Sequence, residues 1–195
     1  MYALKDKEMI FVFTGPHGAG RKTVAEMSGS TLGMKQVISY TTRPPRATEE
    51  DGQDYHFISP AQFVQAQANG EFIEVSTVND HLYGIKSADI EHMFENSGSI
   101  YLILNRFGAE TLKKLYGDRV VLVFIYAQRN TLEERMRESG DSEDMIQKYL
   151  SHYEDEMAYR DQCDHVFENV DLAHTVFDLT KTLDKYLNRN LVDLD

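Results

Sequence analysis

The chain of 195 residues has one cysteine, Cys163. That excludes an internal disulfide and any cysteine-rich zinc site, and leaves an inert thiol as the expectation. No run of apolar residues approaches the length needed to cross a bilayer. The opening residues, Met1-Tyr2-Ala3-Leu4-Lys5-Asp6-Lys7, lack the long apolar core of a signal peptide, so the expected setting is cytoplasmic. Repeats and low-complexity tracts are missing too. Positive charge is scarce: 20 Lys and Arg face 32 Asp and Glu, for a formal net charge of -12. Such a surface repels nucleic-acid backbones and anionic membranes, which excludes a general DNA or RNA binder. Any phosphate site has to be a local basic pocket, and the expected partners are small molecules, in a monomer or homodimer.

What is present is an ordinary globular balance, 42% hydrophobic and 27% charged, at a length that suits one α/β domain with small inserted lobes. Apolar runs at Ile10–Phe13, Ile100–Leu104 and Val120–Tyr126 predict buried parallel strands. Helical composition at Ala109–Tyr116, Leu132–Glu138 and Asp144–Met157 alternates with them, which points to βαβ units and a parallel sheet flanked by helices. Leu172–Leu187 reads as a closing amphipathic helix with Leu172, Val176, Leu179, Leu183 and Leu187 on one face. The core is expected over about 7–36, 88–126 and 150–195, with a lid over about 127–149.

Residues 37–87 have another texture. Turn signals at Pro44-Pro45, Asp51-Gly52, Asn69-Gly70 and Asn79-Asp80 separate short β-type runs such as Asp54–Ile58 and Glu71–Val75. This predicts an inserted, partly antiparallel lobe. Within it Ser59 as N-cap and Pro60 in the first turn predict a helix through Asn69.

The first motif is Gly15-Pro16-His17-Gly18-Ala19-Gly20-Arg21-Lys22-Thr23, set between the first strand and a helical segment. Glycines let the backbone curl so that several N–H groups face one anion, and the helix start adds its positive end. The usual form, G-x-x-x-x-G-K-[ST], puts lysine at position 21 and a hydroxyl at position 22. Here Arg21 and Lys22 stand there, with the hydroxyl one place later at Thr23. Gly15, His17, Gly18, Ala19, Gly20, Arg21, Lys22 and Thr23 are the candidate triphosphate site, and Thr23 the candidate magnesium ligand.

The second motif is Ser39-Tyr40-Thr41-Thr42-Arg43-Pro44-Pro45-Arg46, followed by Asp51-Gly52-Gln53-Asp54-Tyr55-His56-Phe57. Two arginines three apart can fork onto the oxygens of a phosphate monoester. With Gly70-Glu71-Phe72-Ile73-Glu74 and Tyr83-Gly84, these blocks resemble the guanylate kinase family over Met9 to about Leu172. The resemblance implies phosphorylation of GMP by ATP with Mg²⁺. It implies that Arg43, Arg46, Tyr55 and Tyr83 hold the acceptor phosphate, with Ser39 and Glu74 on the guanine. A carboxylate is a double acceptor and guanine presents two adjacent donors, so Glu74 suits that base. Arg135 matches a lid arginine that reaches the transferring phosphate, and Asn169 a position near the adenine. Arg21, Lys22 and Arg135 are thus the candidate catalytic cations.

The match breaks where chemistry is expected. Two family aspartates correspond to Ile103 and Asn105, a hydroxyl to Ile85, and two arginines to Ser139 and Tyr149. These losses fall on positioning and electrostatic stabilisation, on which phosphoryl transfer depends. The alternative is a non-catalytic module that binds GMP or a phosphorylated peptide through the same clamp. Related scaffold-protein domains do so, but they typically carry proline where this chain has Ser39.

Overall fold

The structure, a computed structural model, describes residues 3–5 and 8–187, without the side chains of residues 96 and 97. Five parallel strands form the main sheet: β1 (Ile10–Thr14), β2 (Lys35–Gln36), β7 (Ile100–Ile103), β8 (Val120–Tyr126) and β9 (His165–Glu168), in the order β2-β7-β1-β8-β9. β1 lies between β7 and β8, with Ile10 opposite both Ile100 and Val120. Every residue of β1 is buried, as its unbroken apolar sequence dictates for a strand covered on both faces. Because all five strands run the same way, their C-terminal ends share one edge. That edge is where open α/β sheets bind ligands.

Helices α1 (Arg21–Leu32), α4 (Arg106–Tyr116) and α8 (Leu172–Leu187) belong to this layer. The core they close includes Val24, Leu32, Leu112, Leu179 and Leu183, all fully buried. On α8 the predicted bounds hold, although Leu172 itself is exposed at the first turn. α4 begins three residues before the sequence suggests, because the Asn105 side chain caps it by accepting from Gly108 N at 3.0 Å.

A second sheet is built from β3 (Tyr40–Thr41), β4 (His56–Phe57), β5 (Phe72–Val78) and β6 (His81–Lys86), in the order β4-β3-β6-β5. It is mixed, with β3 and β4 parallel and the other pairings antiparallel. β5 and β6 form a hairpin whose turn, Asn79-Asp80, has both residues at positive φ (50° and 66°), the geometry such hairpins demand. α2 (Pro60–Ala68) carries the predicted Ser59 cap, extended by Gln62 into a reciprocal capping box. α3 (Ser87–Ser97) leads from this sheet to β7.

Between β8 and β9 lie α5 (Arg129–Glu138), α6 (Glu143–Ser151) and α7 (Tyr153–Ala158). The sequence suggests one helical segment over Asp144–Met157, but the chain breaks at His152. Ser151 Oγ donates to Lys148 O at 2.7 Å, and such local bonds compete with helix propagation. The break still keeps Ile146, Leu150, Tyr153 and Met157 in the core. No helix among the described residues is long and apolar enough to cross a membrane.

Candidate functional site

The C-terminal edge of the main sheet and the second sheet enclose a cavity of about 440 Å³. One end belongs to the second sheet. β5 alternates so that Glu74 and Ser76 are buried together, toward the end of β7. Ser76 Oγ accepts from Asn105 Nδ2 at 2.9 Å, which ties the two sheets at this point. Glu74 lines the cavity at 4% exposure, and its Oε1 has no partner. Burial pushes its pKa up to about 7, against a hydrogen bond from Ser76 that works the other way. A buried carboxylate with an unused acceptor is costly unless a donor arrives.

Ser39, Arg43, Arg46, Tyr55 and Tyr83 line the same cavity, so all six predicted acceptor-side residues come together. Arg43 is presented by a partner the sequence reading missed. Its Nη1 and Nη2 donate to the two oxygens of Glu49, each at 2.8 Å. Burial alone would weaken the charge on Arg43, but Glu49 holds its pKa above the ordinary value. The guanidinium also sits 5.5 Å from the centre of the Tyr55 ring, which meets Tyr83 edge to face. Arg46 Nη2 donates to the hydroxyl of Tyr149 at 2.8 Å.

The other end is the glycine loop, held between β1 and α1. Gly15 stands at φ 128°, and a Cβ there would lie 2.0 Å from Ile125 O on β8. Gly20, at φ 81°, starts α1, and a Cβ on it would lie 2.6 Å from Asn169 Nδ2. Only glycine fits either place. Gly15, His17 and Arg21 line the cavity, and Arg21 Nη1 donates to Leu104 O at 3.3 Å. His17 stacks on Tyr149 with ring centres 4.1 Å apart, and its Nε2 lies 3.2 Å from Asp141 Oδ2. Burial, then the charges of Arg46 and Arg21, pull the His17 pKa down to about 4, so the ring is neutral near pH 7 and hydrogen-bonds Asp141.

Several donor-side expectations take another place. Gly18, Ala19 and Gly20 do not line the cavity; a Cβ on Gly18 would meet Met136 of α5 at 3.3 Å. Lys22 turns away from the cavity to ion-pair with Asp54, in the turn before β4, and with Glu26 of its own helix. Neighbouring side chains at a helix start diverge by about 100°, so Arg21 and Lys22 do not share one direction. Thr23 is exposed, outside the cavity. Asn169 is buried behind the loop and donates from Nδ2 to Ala19 O at 2.9 Å. Arg135 Nη2 donates to Asn169 O at 2.8 Å, while its Nη1 is buried without a partner. Arg106, at the start of α4, adds a further guanidinium to the cavity wall.

The residues present offer magnesium few free oxygen donors. Lys22 occupies the place of the usual hydroxyl, and Ile103 is apolar. Both polar atoms of the Asn105 amide are engaged, by Gly108 N and Ser76 Oγ. Among the described residues there is no group of three or more His, Cys, Asp or Glu side chains that could hold a metal. The donor set does not fit a protein-held magnesium ion.

The family model described as guanylate kinase matches residues 7–186. A guanylate kinase of Fusobacterium nucleatum is 30% identical over 176 residues, which span 90% of this chain and 95% of that protein. One from Porphyromonas gingivalis is 30% identical over 183 residues, spanning 91% and 97%. Among solved structures, the guanylate kinase of Anaplasma phagocytophilum gives a TM-score of 0.77 at 24% identity, covering 96% of this chain and 90% of that one. That likeness bears on the fold.

Proposed function

Because the chain belongs to the guanylate kinase family, we propose that it transfers the γ-phosphoryl group of ATP to GMP, giving ADP and GDP. The observation that carries this reading is Glu74, a buried carboxylate with an unused acceptor, in one cavity with the arginines and the glycine loop. Guanine offers N1–H and its 2-amino group side by side, and adenine would face Glu74 with an acceptor. Polar pairing of this kind discriminates strongly between bases. Arg43, Arg46, Tyr55 and Tyr83 hold the acceptor phosphate, and Ser39 meets the guanine edge.

An oxygen of the GMP phosphate attacks the γ-phosphorus as the bond to the β,γ-bridging oxygen breaks. Positive charge fixed around the transferring group is the main source of rate in such transfers. Arg21 supplies it from the loop, while Arg135 of α5 lies outside the cavity wall and would bring its unpartnered Nη1 to the transferring group only as the segment over α5 and α6 closes on the bound nucleotides. Lys22 contributes by joining the loop helix, through Asp54, to the turn that leads into β4. The described residues of the chain offer magnesium no site, so the charge on the transferring phosphates falls to the guanidinium groups of Arg21 and Arg135. Asn169 and the backbone of Gly18 to Gly20 support the donor loop.

A coupled assay for GDP with saturating ATP, magnesium and GMP tests the reading. Turnover is expected above the ATP-only background, and loss of at least 100-fold in an Arg43→Ala, Arg46→Ala double variant. Folded protein that binds GMP without turnover would instead favour the binding module, a reading supported by the missing carboxylates at Ile103 and Asn105.

A further inference from the structure

We infer that the cavity binds nucleoside phosphates as free anions, with guanidinium groups of the chain in the place of a protein-held divalent cation. The inference rests on reading the cavity as a nucleotide site and concerns how charge is balanced there. Triphosphate sites of the glycine-loop type balance it with a lysine and with a metal ion anchored by a hydroxyl and a carboxylate. Each of those anchors is changed here, and each change has a visible consequence. At the hydroxyl position Lys22 brings a second cation, which is drawn off to Asp54 and Glu26. At the end of β7 an apolar Ile103 and a fully committed Asn105 amide replace oxygen ligands.

Cations have been gathered over the same span. Arg21, Arg43, Arg46 and Arg106 all line the cavity, from the glycine loop, the second sheet and the start of α4. Guanidinium is permanently charged, presents donors in a plane and is weakly hydrated, so it can take phosphate oxygens directly. The carboxylates on the wall do not restore a metal site. Glu74 sits at the acceptor end, and Asp155 and Glu156 are neighbours on α7, with Glu156 in the field of Arg21 and Arg106; they form no group of three that could hold a metal. Arg43 already shares its charge with Glu49, so the groups that meet the phosphates in place of a metal are chiefly the donor forks of Arg21, Arg46 and Arg106.

The test is calorimetric titration of the full chain with ATP, once with excess magnesium chloride and once with EDTA. Dissociation constants within three-fold of each other are expected. A tenfold or greater preference for the magnesium buffer overturns the inference, and so does absence of ATP binding in both. GMP titrated in the same buffers checks that the protein is folded. A Lys22→Ser, Asn105→Asp double variant, which restores a hydroxyl and a carboxylate while keeping the α4 cap acceptor, is expected to gain a magnesium preference of at least tenfold. An unchanged ratio in that variant, with GMP binding intact, also overturns it. Equal ATP affinities without GDP formation would remove the kinase reading and leave this inference standing; metal-dependent affinity with turnover would do the reverse.

Discussion

Glu74 sets stability against recognition within one side chain. Its pKa is near 7 in the folded protein and 4.5 ordinarily, so the native state holds a proton that the unfolded chain releases. Stability is therefore fullest below the ordinary value, declines as pH rises between the two, and stays lowered above 7. The gap corresponds to about 3 kcal/mol. Glu74→Gln, which cannot ionise, is expected to be more stable than the parent by up to about 3 kcal/mol in urea unfolding at pH 8, with little difference at pH 4.5. The same substitution should weaken GMP at least tenfold, since an amide offers guanine one acceptor where the carboxylate offers two. Equal stabilities at pH 8 would contradict the burial argument. At this scale the acceptor residues were legible because their chemistry sits in short linear motifs. Asp141 and Tyr149 were not, since their contacts with His17 and Arg46 span 124 and 103 residues. Asn105 was legible as a lost carboxylate, but its capping role needed the helix start in view.

The unit of β1, glycine loop and α1 has the strand–turn–helix order its sequence dictates, and a small change there should be most disruptive. Gly15→Ala drives a methyl into the Ile125 carbonyl, which belongs to a central strand and cannot retreat. A loss of about 4 kcal/mol or more is expected in chemical unfolding. Gly52→Ala is the control: φ is also positive, at 78°, but nothing lies within 4 Å, so about 1 kcal/mol is expected. Similar losses in both variants would show that backbone conformation, not the close approach to β8, is what Gly15 provides. β1, β7 and β8 were legible because unbroken apolar runs specify them locally, and the Asn79-Asp80 turn was legible as a turn; β2 and β9 were not, because Lys35-Gln36 is too short and His165–Glu168 too polar to stand out. The break between α6 and α7 was not, because the apolar spacing runs straight through His152 and only a side-chain bond at Ser151 betrays it. Lys22 likewise follows from helix geometry once α1 is known to begin at Arg21.

Across the whole molecule, a strongly acidic surface surrounds a cavity of guanidinium groups, so ligand binding should be felt as stability of the entire fold. GMP at about 100 times its dissociation constant is expected to add about 2.7 kcal/mol. For a chain of this size that raises the melting temperature by about 5–10 °C. The rise should be larger at pH 8 than at pH 6, because Glu74 must be ionised to accept two guanine donors. In Glu74→Gln that pH difference should shrink, and its persistence would point to another titrating group. One contact described above reaches further. Tyr149 takes a hydrogen bond from Arg46 while its ring rests on His17, which in turn holds Asp141. A phosphate arriving at Arg46 competes for that bond, and the disturbance is passed through one aromatic ring to the donor loop. Each bound nucleotide then changes the affinity for the other by the same factor, because coupling between two sites is reciprocal. Titrations of ATP with and without GMP should show that factor, and Tyr149→Phe, which cuts the link at the hydroxyl and keeps the ring, should bring it close to one.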